Sequence, residues 1–177
     1  MIGFKKKKIG LFGGSFDPPH RGHLEISKLA IKELSLDQMY WCVTKKNPLK
    51  NIPFFSLAER IKKSKFITNK IKKIKIKFFE DTIKSVNTVD LIKHLKIKNK
   101  KNTFFLIIGS DNLISFHKWK KWKLLAELTN IVVFSRNDYD KKAKKSVMMK
   151  QVKKITFIKN KHINISSTQI RKKYKKI

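Results

Sequence analysis

One cysteine in 177 residues, Cys42, excludes a disulfide framework. It stands in the apolar run Trp41-Cys42-Val43, where a thiol packs as a small hydrophobe, which points to a core residue in a reducing compartment, the cytoplasm. No group of Cys and His has zinc spacing. No apolar run is long enough to span a membrane, and Lys5 to Lys8 lead into a strand rather than a signal-peptide core, so no membrane partner is expected. Acidic residues are few, 12 Asp and Glu against 44 Lys and Arg for a net charge of +32, and no carboxylate cluster can cage a metal. Arginine is also scarce: Arg21, Arg60, Arg136 and Arg171 are the four, although base and phosphate recognition favours arginine's planar fork. The lysines are spread along the whole chain amid abundant Ile and Asn, the pattern of an AT-rich genome's codon usage on solvated faces. No specific nucleic-acid partner is expected, and duplex binding should be weak and fade with salt. A basic nucleic-acid-binding protein is the rival from another class; steep salt dependence without turnover would mark it.

The organising stretch is Ile9-Gly10-Leu11-Phe12-Gly13-Gly14-Ser15-Phe16-Asp17-Pro18-Pro19-His20-Arg21-Gly22-His23. It reads as a buried strand, a glycine turn and a helix opening near His20. Gly13 and Gly14 let the backbone bend and leave no Cβ in a ligand's way. Pro18 and Pro19 fit the lead-in to a helix. A helix N-terminus presents unpaired N–H groups and partial positive charge, a seat for phosphate. His20 and His23, three apart, share its first turn, and Gly22 between them leaves the backbone bare to an anion.

Downstream, residues 24–34 carry apolar side chains at helical spacing, and Met39 to Thr44 is a continuous apolar strand. Strand-helix-strand with a right-handed crossover predicts a parallel sheet. Residues 45–55 form a loop bearing Lys50, a plausible phosphate contact; Ser56 and Glu59 open a helix as a capping box. Ile74 to Phe78 alternates as a strand near a sheet edge, and residues 87–95 read as a helix on which Thr88 either caps or faces a ligand. Thr103 to Asp111 is a buried strand ending in Gly109-Ser110-Asp111, where a carboxylate can accept ribose hydroxyls. Trp119 lies in a Lys-flanked, loop-like context suited to stacking on a heterocycle. Ile131 to Ser135 is a strand with Arg136 at its carboxyl end, Asp138 to Lys150 reads as a mobile polar loop, and Ile155 to Ile158 is a last strand. In Ile165-Ser166-Ser167-Thr168-Gln169-Ile170-Arg171, hydroxyls at a helix start and an arginine on its first turn can bind phosphate.

Together, Gly13-Gly14-Ser15-Phe16-Asp17-Pro18-Pro19-His20-Arg21-Gly22-His23, Gly109-Ser110-Asp111, Trp119 and Ile165-Ser166-Ser167-Thr168-Gln169-Ile170-Arg171 resemble the bacterial nicotinate-nucleotide adenylyltransferases of the nucleotidylyltransferase superfamily, over nearly the whole chain. The resemblance implies a single domain over residues 1–177, with an α/β, Rossmann-like, doubly wound parallel sheet. It implies adenylyl transfer from MgATP to nicotinate mononucleotide, with Mg2+ carried mainly by ATP and water. His20, His23 and Arg171 would be catalytic. Gly13, Gly14, Ser15, Phe16, Gly109, Asp111, Ser166, Ser167 and Thr168 would bind ATP, and Lys50, Thr88, Trp119 and Arg136 the acceptor. Leu49 stands where the family commonly has histidine, with Lys50 a substitute. Pantetheine-phosphate adenylyltransferase, a smaller relative, shares the loop and Ser-Ser-Thr logic but usually has threonine at the place of His20.

Overall fold

A computed structural model describes residues 6–46, 52–152, 154–160 and 165–174. Six strands, β1 (Lys8–Gly14), β2 (Gln38–Val43), β3 (Ile74–Lys77), β4 (Thr103–Gly109), β5 (Asn130–Phe134) and β6 (Ile155–Ile158), form one sheet in the order β3-β2-β1-β4-β5-β6. Every neighbouring pair is parallel. The order runs outward from β1 in both directions, so crossover helices cover both faces and a crevice opens where β1 and β4 part. This is the doubly wound α/β sheet the sequence implied.

Alternation along the buried strands divides the core in two. Ile9, Leu11, Phe104, Leu106, Ile108, Ile131 and Val133 face α4 (Thr88–Lys98), α5 (Ser110–Ser115) and α6 (Trp122–Leu128). Phe12, Ile107, Val132 and Phe134 face the other way, with Trp41 and Val43, towards α1 (Arg21–Glu33) and α2 (Leu57–Thr68). Gly10 is required on that second face: a Cβ there would stand 2.7 Å from Leu36 Cδ1 and 2.8 Å from Met39 Sδ. β3 is an edge strand, as its alternation predicted, and its exposed lysines protect that edge. Burial pushes the Cys42 thiol up to about 12, so it behaves as core rather than as a nucleophile.

Two expectations are corrected. Residues 138–150 are not a loop: α7 (Asn137–Lys144) and α8 (Val147–Gln151) occupy them. Ala143 and Met148 are fully buried in the first core, and the Asp140 carboxylate accepts the Arg136 N–H at 2.9 Å and the Ser135 hydroxyl, fixing the entry to α7. Five lysines conceal those two anchors in the sequence pattern. The sharp bend after β1 is not made by glycine either. No described glycine has positive φ, and Phe16, at φ 47°, takes the left-handed turn. Its ring fixes that conformation by lying 4.6 Å from the Trp41 ring at an interplanar angle of 5°. A short helix, α3 (Glu80–Ile83), follows β3, and no described helix is long and apolar enough to cross a membrane.

Candidate active site

The carboxyl ends of β1 and β4 open into a cleft of ≈ 1740 Å³ bordered by Gly13, Gly14, Ser15, Phe16, His20, His23, Thr88, Gly109, Asp111, Trp119, Arg136, Ser166, Ser167, Thr168 and Arg171. Every residue singled out from sequence therefore converges on one place, except Lys50, which with Leu49 lies outside the described residues.

Gly13 leaves the floor bare, since a Cβ there would meet nothing within 4 Å. His20 is the N-cap of α1. Its Nδ1 accepts the Gly22 N–H at 3.1 Å, while His23 Nδ1 accepts the His20 N–H at 3.2 Å, a capping box built from two imidazoles. The ring centroids lie 3.8 Å apart. With each Nδ1 committed as an acceptor, the proton of each neutral ring sits on Nε2. Gly22 is needed because the His20 ring folds back over it, 2.9 Å from where a Cβ would stand; that space holds imidazole rather than an open approach for an anion. Burial, aided by the Arg136 charge, pulls the His20 pKa down to about 4. Behind His23, Ser27 Oγ donates to the His23 carbonyl at 2.9 Å and accepts Trp41 Nε1–H at 2.7 Å, so the first turn of α1 is tied to β2.

Across the cleft, α9 (Ser167–Tyr174) docks on the same loop. Ser166 Oγ accepts the Gln169 N–H at 3.2 Å while Gln169 Oε1 accepts the Ser166 N–H at 2.7 Å, so Ser166 caps the helix. Ser167 Oγ donates to the Pro18 carbonyl at 2.9 Å, and Arg171 Nη1 donates to the Asp17 carbonyl at 2.6 Å. Arg171 Nη2 donates to Thr168 Oγ1 at 3.0 Å. Asp17, 4% exposed, accepts the Phe54 and Phe55 N–H groups at 2.8 Å each. It belongs to the motif read from sequence but had no assigned role there; a buried carboxylate before two prolines was the available signal.

On the β4 side, Asp111 Oδ2 pairs with Arg136 Nη1 at 3.2 Å. A Cβ at Gly109 would collide with Asp111 Oδ1 and stand 3.1 Å from Arg136 Nε, so only glycine fits beneath this pair. Trp119 stacks on the fully buried Phe116 ring, centroids 4.8 Å apart at 25°, and borders the cleft. Thr88 is the first residue of α4 and not its cap, which is Asn87. Asn87 caps with no side-chain hydrogen bond, because its amide donates instead to Ser85 Oγ and Asp90 Oδ2.

Two imidazoles at a helix start, a bare glycine floor and an arginine-bearing helix docked on the same loop make a donor set that can receive phosphate groups, and the family model described as cytidylyltransferase-like matches residues 11–173. The chain belongs to the cytidylyltransferase-like family. Within that family it is 49% identical over 170 residues to a probable nicotinate-nucleotide adenylyltransferase of Pelagibacter ubique (strain HTCC1062), covering 95% of this chain and 94% of the relative. It is 42% identical over 129 residues to the probable nicotinate-nucleotide adenylyltransferase of Rhizobium johnstonii (strain DSM 114642 / LMG 32736 / 3841), covering 72% of this chain and 64% of that protein. The fold of Plasmodium falciparum nicotinic acid mononucleotide adenylyltransferase, solved in complex with APC, superposes with a TM-score of 0.77 at 22% identity over 94% of this chain and 83% of that one. A fold alone does not fix what a cleft accepts; the residues of its walls do so.

Proposed function

We propose that the protein transfers the AMP moiety of MgATP to nicotinate mononucleotide, releasing pyrophosphate and forming nicotinate adenine dinucleotide, a step of NAD biosynthesis. The observation that carries the reading is the convergence of His20, His23 and Arg171 on one cleft that Trp119 also borders, in a chain 49% identical to a protein of that name. The acceptor phosphate attacks the α-phosphorus in line; the new P–O bond forms as the bond to pyrophosphate breaks, and the leaving group carries away the electron pair. No enzyme nucleophile is needed, so catalysis rests on alignment and on charge neutralisation. His20 and His23 donate from Nε2 to phosphate oxygens, Arg171 supplies a fixed positive charge, and Asp111 receives the ribose hydroxyls beside Gly109. Ser15, Ser166, Ser167 and Thr168 complete the phosphate and nucleotide contacts.

Trp119 offers its indole face to the pyridine ring, Arg136 faces the acceptor phosphate, and the Thr88 hydroxyl with the first N–H groups of α4 meets the nicotinate carboxylate. Magnesium would enter with ATP and be carried mainly by it and by water. Among the described residues no three His, Cys, Asp or Glu gather as a metal site, and Asp17 and Asp111 pair with Arg171 and Arg136. The reaction belongs in the cytoplasm, where ATP and a reduced Cys42 coexist.

A pyrophosphate-release assay with a panel of acceptors tests the reading. Nicotinate mononucleotide should outperform its amide, which presents a donor where the site offers donors, and phosphopantetheine should not react. Equal or better turnover with phosphopantetheine would move the protein to the pantetheine-phosphate adenylyltransferases.

A further inference from the structure

Arg60 is 2% exposed and contributes nothing to the cleft surface. It lies on the first turns of α2, whose start is fixed by the reciprocal bonds between Ser56 and Glu59. From there its guanidinium reaches four backbone carbonyls. Nη1 donates to Ser15 at 2.6 Å and to Thr44 at 2.7 Å, Nη2 to Lys45 at 3.0 Å, and Nε to Phe55 at 3.0 Å. No carboxylate among the described residues forms an ion pair with it; Asp17 and Glu80 support its charge through space while burial opposes it. A buried cation spent entirely on carbonyls is unusual, because the guanidinium must leave water and receives no anion in exchange.

The placement explains the arrangement. β1 and β2 pair in register up to Gly14 and Val43, and the Thr44 N–H still donates to the Gly14 carbonyl at 3.0 Å. Beyond that point the strands part: Ser15 turns into the histidine loop, and Thr44 and Lys45 leave towards residues 46–55. The Arg60 fork sits in the gap and satisfies the carbonyls that the ladder no longer pairs. Ser15 and Thr44 both border the cleft, while Arg60 does not.

We infer that Arg60 is a positioning residue for the transfer reaction, holding the histidine loop at a fixed distance from the segment leaving β2 so that the two reacting phosphates line up. The inference rests on the adenylyl-transfer reading. Lysine cannot replace it, since one ammonium cannot span four carbonyls arranged around a planar fork. Arg60 touches no substrate, so its loss should appear in alignment rather than in ATP affinity.

The test is steady-state kinetics on Arg60→Lys at a temperature well below its melting point. At saturating ATP and nicotinate mononucleotide, kcat should fall about tenfold or more, the scale of a small misplacement of reacting groups. The Kd of a non-hydrolysable ATP analogue should change by less than about threefold, within the scatter of an indirect perturbation. The double variant Arg60→Lys/His23→Ala should be little worse than His23→Ala alone, because Arg60 acts through the loop that carries His23. A kcat within about twofold of wild type, a loss carried wholly by ATP affinity, or strictly additive losses in the double variant would overturn the inference. Should Arg60→Lys fail to fold, hydrogen exchange on the wild type decides. The ATP analogue should protect the Lys46 amide, whose peptide unit holds the Lys45 carbonyl, together with residues 15–23. Protection of 15–23 without Lys46 overturns the Arg60 link; no protection of 15–23 overturns the ATP site itself. A wild type inactive on nicotinate mononucleotide but active on another phosphate acceptor would overturn only the acceptor, and the exchange experiment would still judge Arg60.

Discussion

Arg171 and Asp17, 154 positions apart, meet where Arg171 Nη1 donates to the Asp17 carbonyl at 2.6 Å and approaches its carboxylate at 3.5 Å. The contact closes the last helix over the loop that follows the first strand. Because Asp17 also receives the Phe54 and Phe55 N–H groups, this one residue gathers three segments of the chain. Arg171 locks α9 to the loop, and on the proposed reading it also presents positive charge to phosphate, two tasks that substitution can separate.

Arg171→Ala removes both. It should lower kcat/KM by about 10²–10³, the usual loss for one donor to a developing charge. Arg171→Lys keeps the charge but not the simultaneous reach to Asp17 and Thr168 Oγ1, and should recover only part of that loss. Steady-state rates on both variants check this. A lysine variant equal to wild type would show that charge alone matters and that the Asp17 contact is incidental.

The second prediction concerns stability and pH. His20 titrates at about 4 in the folded protein, pulled down first by burial and then by the Arg136 charge, against 6.5 when unfolded. Between those values the unfolded chain binds a proton that the folded chain refuses, so stability is lost as pH falls from about 6.5 to about 4. Protonation would also take Nδ1 from the Gly22 N–H and place positive charge at a helix N-terminus. Between pH 7 and pH 5 the loss from this one group should be roughly 2 kcal/mol. Urea melts of wild type and His20→Asn, which caps the helix without titrating, should differ in pH slope by about that amount. Identical slopes would show that His20 is not held neutral by the fold.

Much of this architecture was legible because its signals are local. β1, β2, β4 and β5 are continuous apolar runs, two prolines lead into the helix at His20, and Ser56 and Ser166 are hydroxyl residues at helix starts. What escaped has no such signature. The turn at Phe16 depends on stacking against Trp41, 25 positions later in the chain, and α7 depends on one buried alanine among lysines. Arg60 has no such signature because its four partners are main-chain carbonyls, which any residue supplies. The candidate site residues were named from motifs along the chain, whereas the partners of Arg60 required the fold.

The last prediction separates the acceptor from ATP. On the proposed reading, His20, His23 and Arg171 serve the nucleotide and leave the second substrate to be set elsewhere in the cleft. Selectivity has to come from a wall those residues do not form. Trp119 is suited to it because Phe116 covers one side of the indole and fixes its plane, while the ring still borders the cleft. A flat pyridine gains from such a pre-set surface, since little side-chain freedom is lost on stacking. Thr88 and the first turn of α4 lie on the same cleft, where hydroxyl and backbone N–H groups form charge-assisted bonds with a carboxylate more strongly than with an amide. Trp119→Ala should therefore raise the KM for nicotinate mononucleotide by about tenfold, the order of 1 kcal/mol for a lost aromatic contact, and leave the KM for ATP within about twofold. Quenching of tryptophan fluorescence by the mononucleotide should shrink in the same variant, since Trp119 is the tryptophan that borders the cleft, while Trp41 is fully buried. An equal rise in both KM values would place Trp119 in the general framework of the cleft and remove it from acceptor recognition.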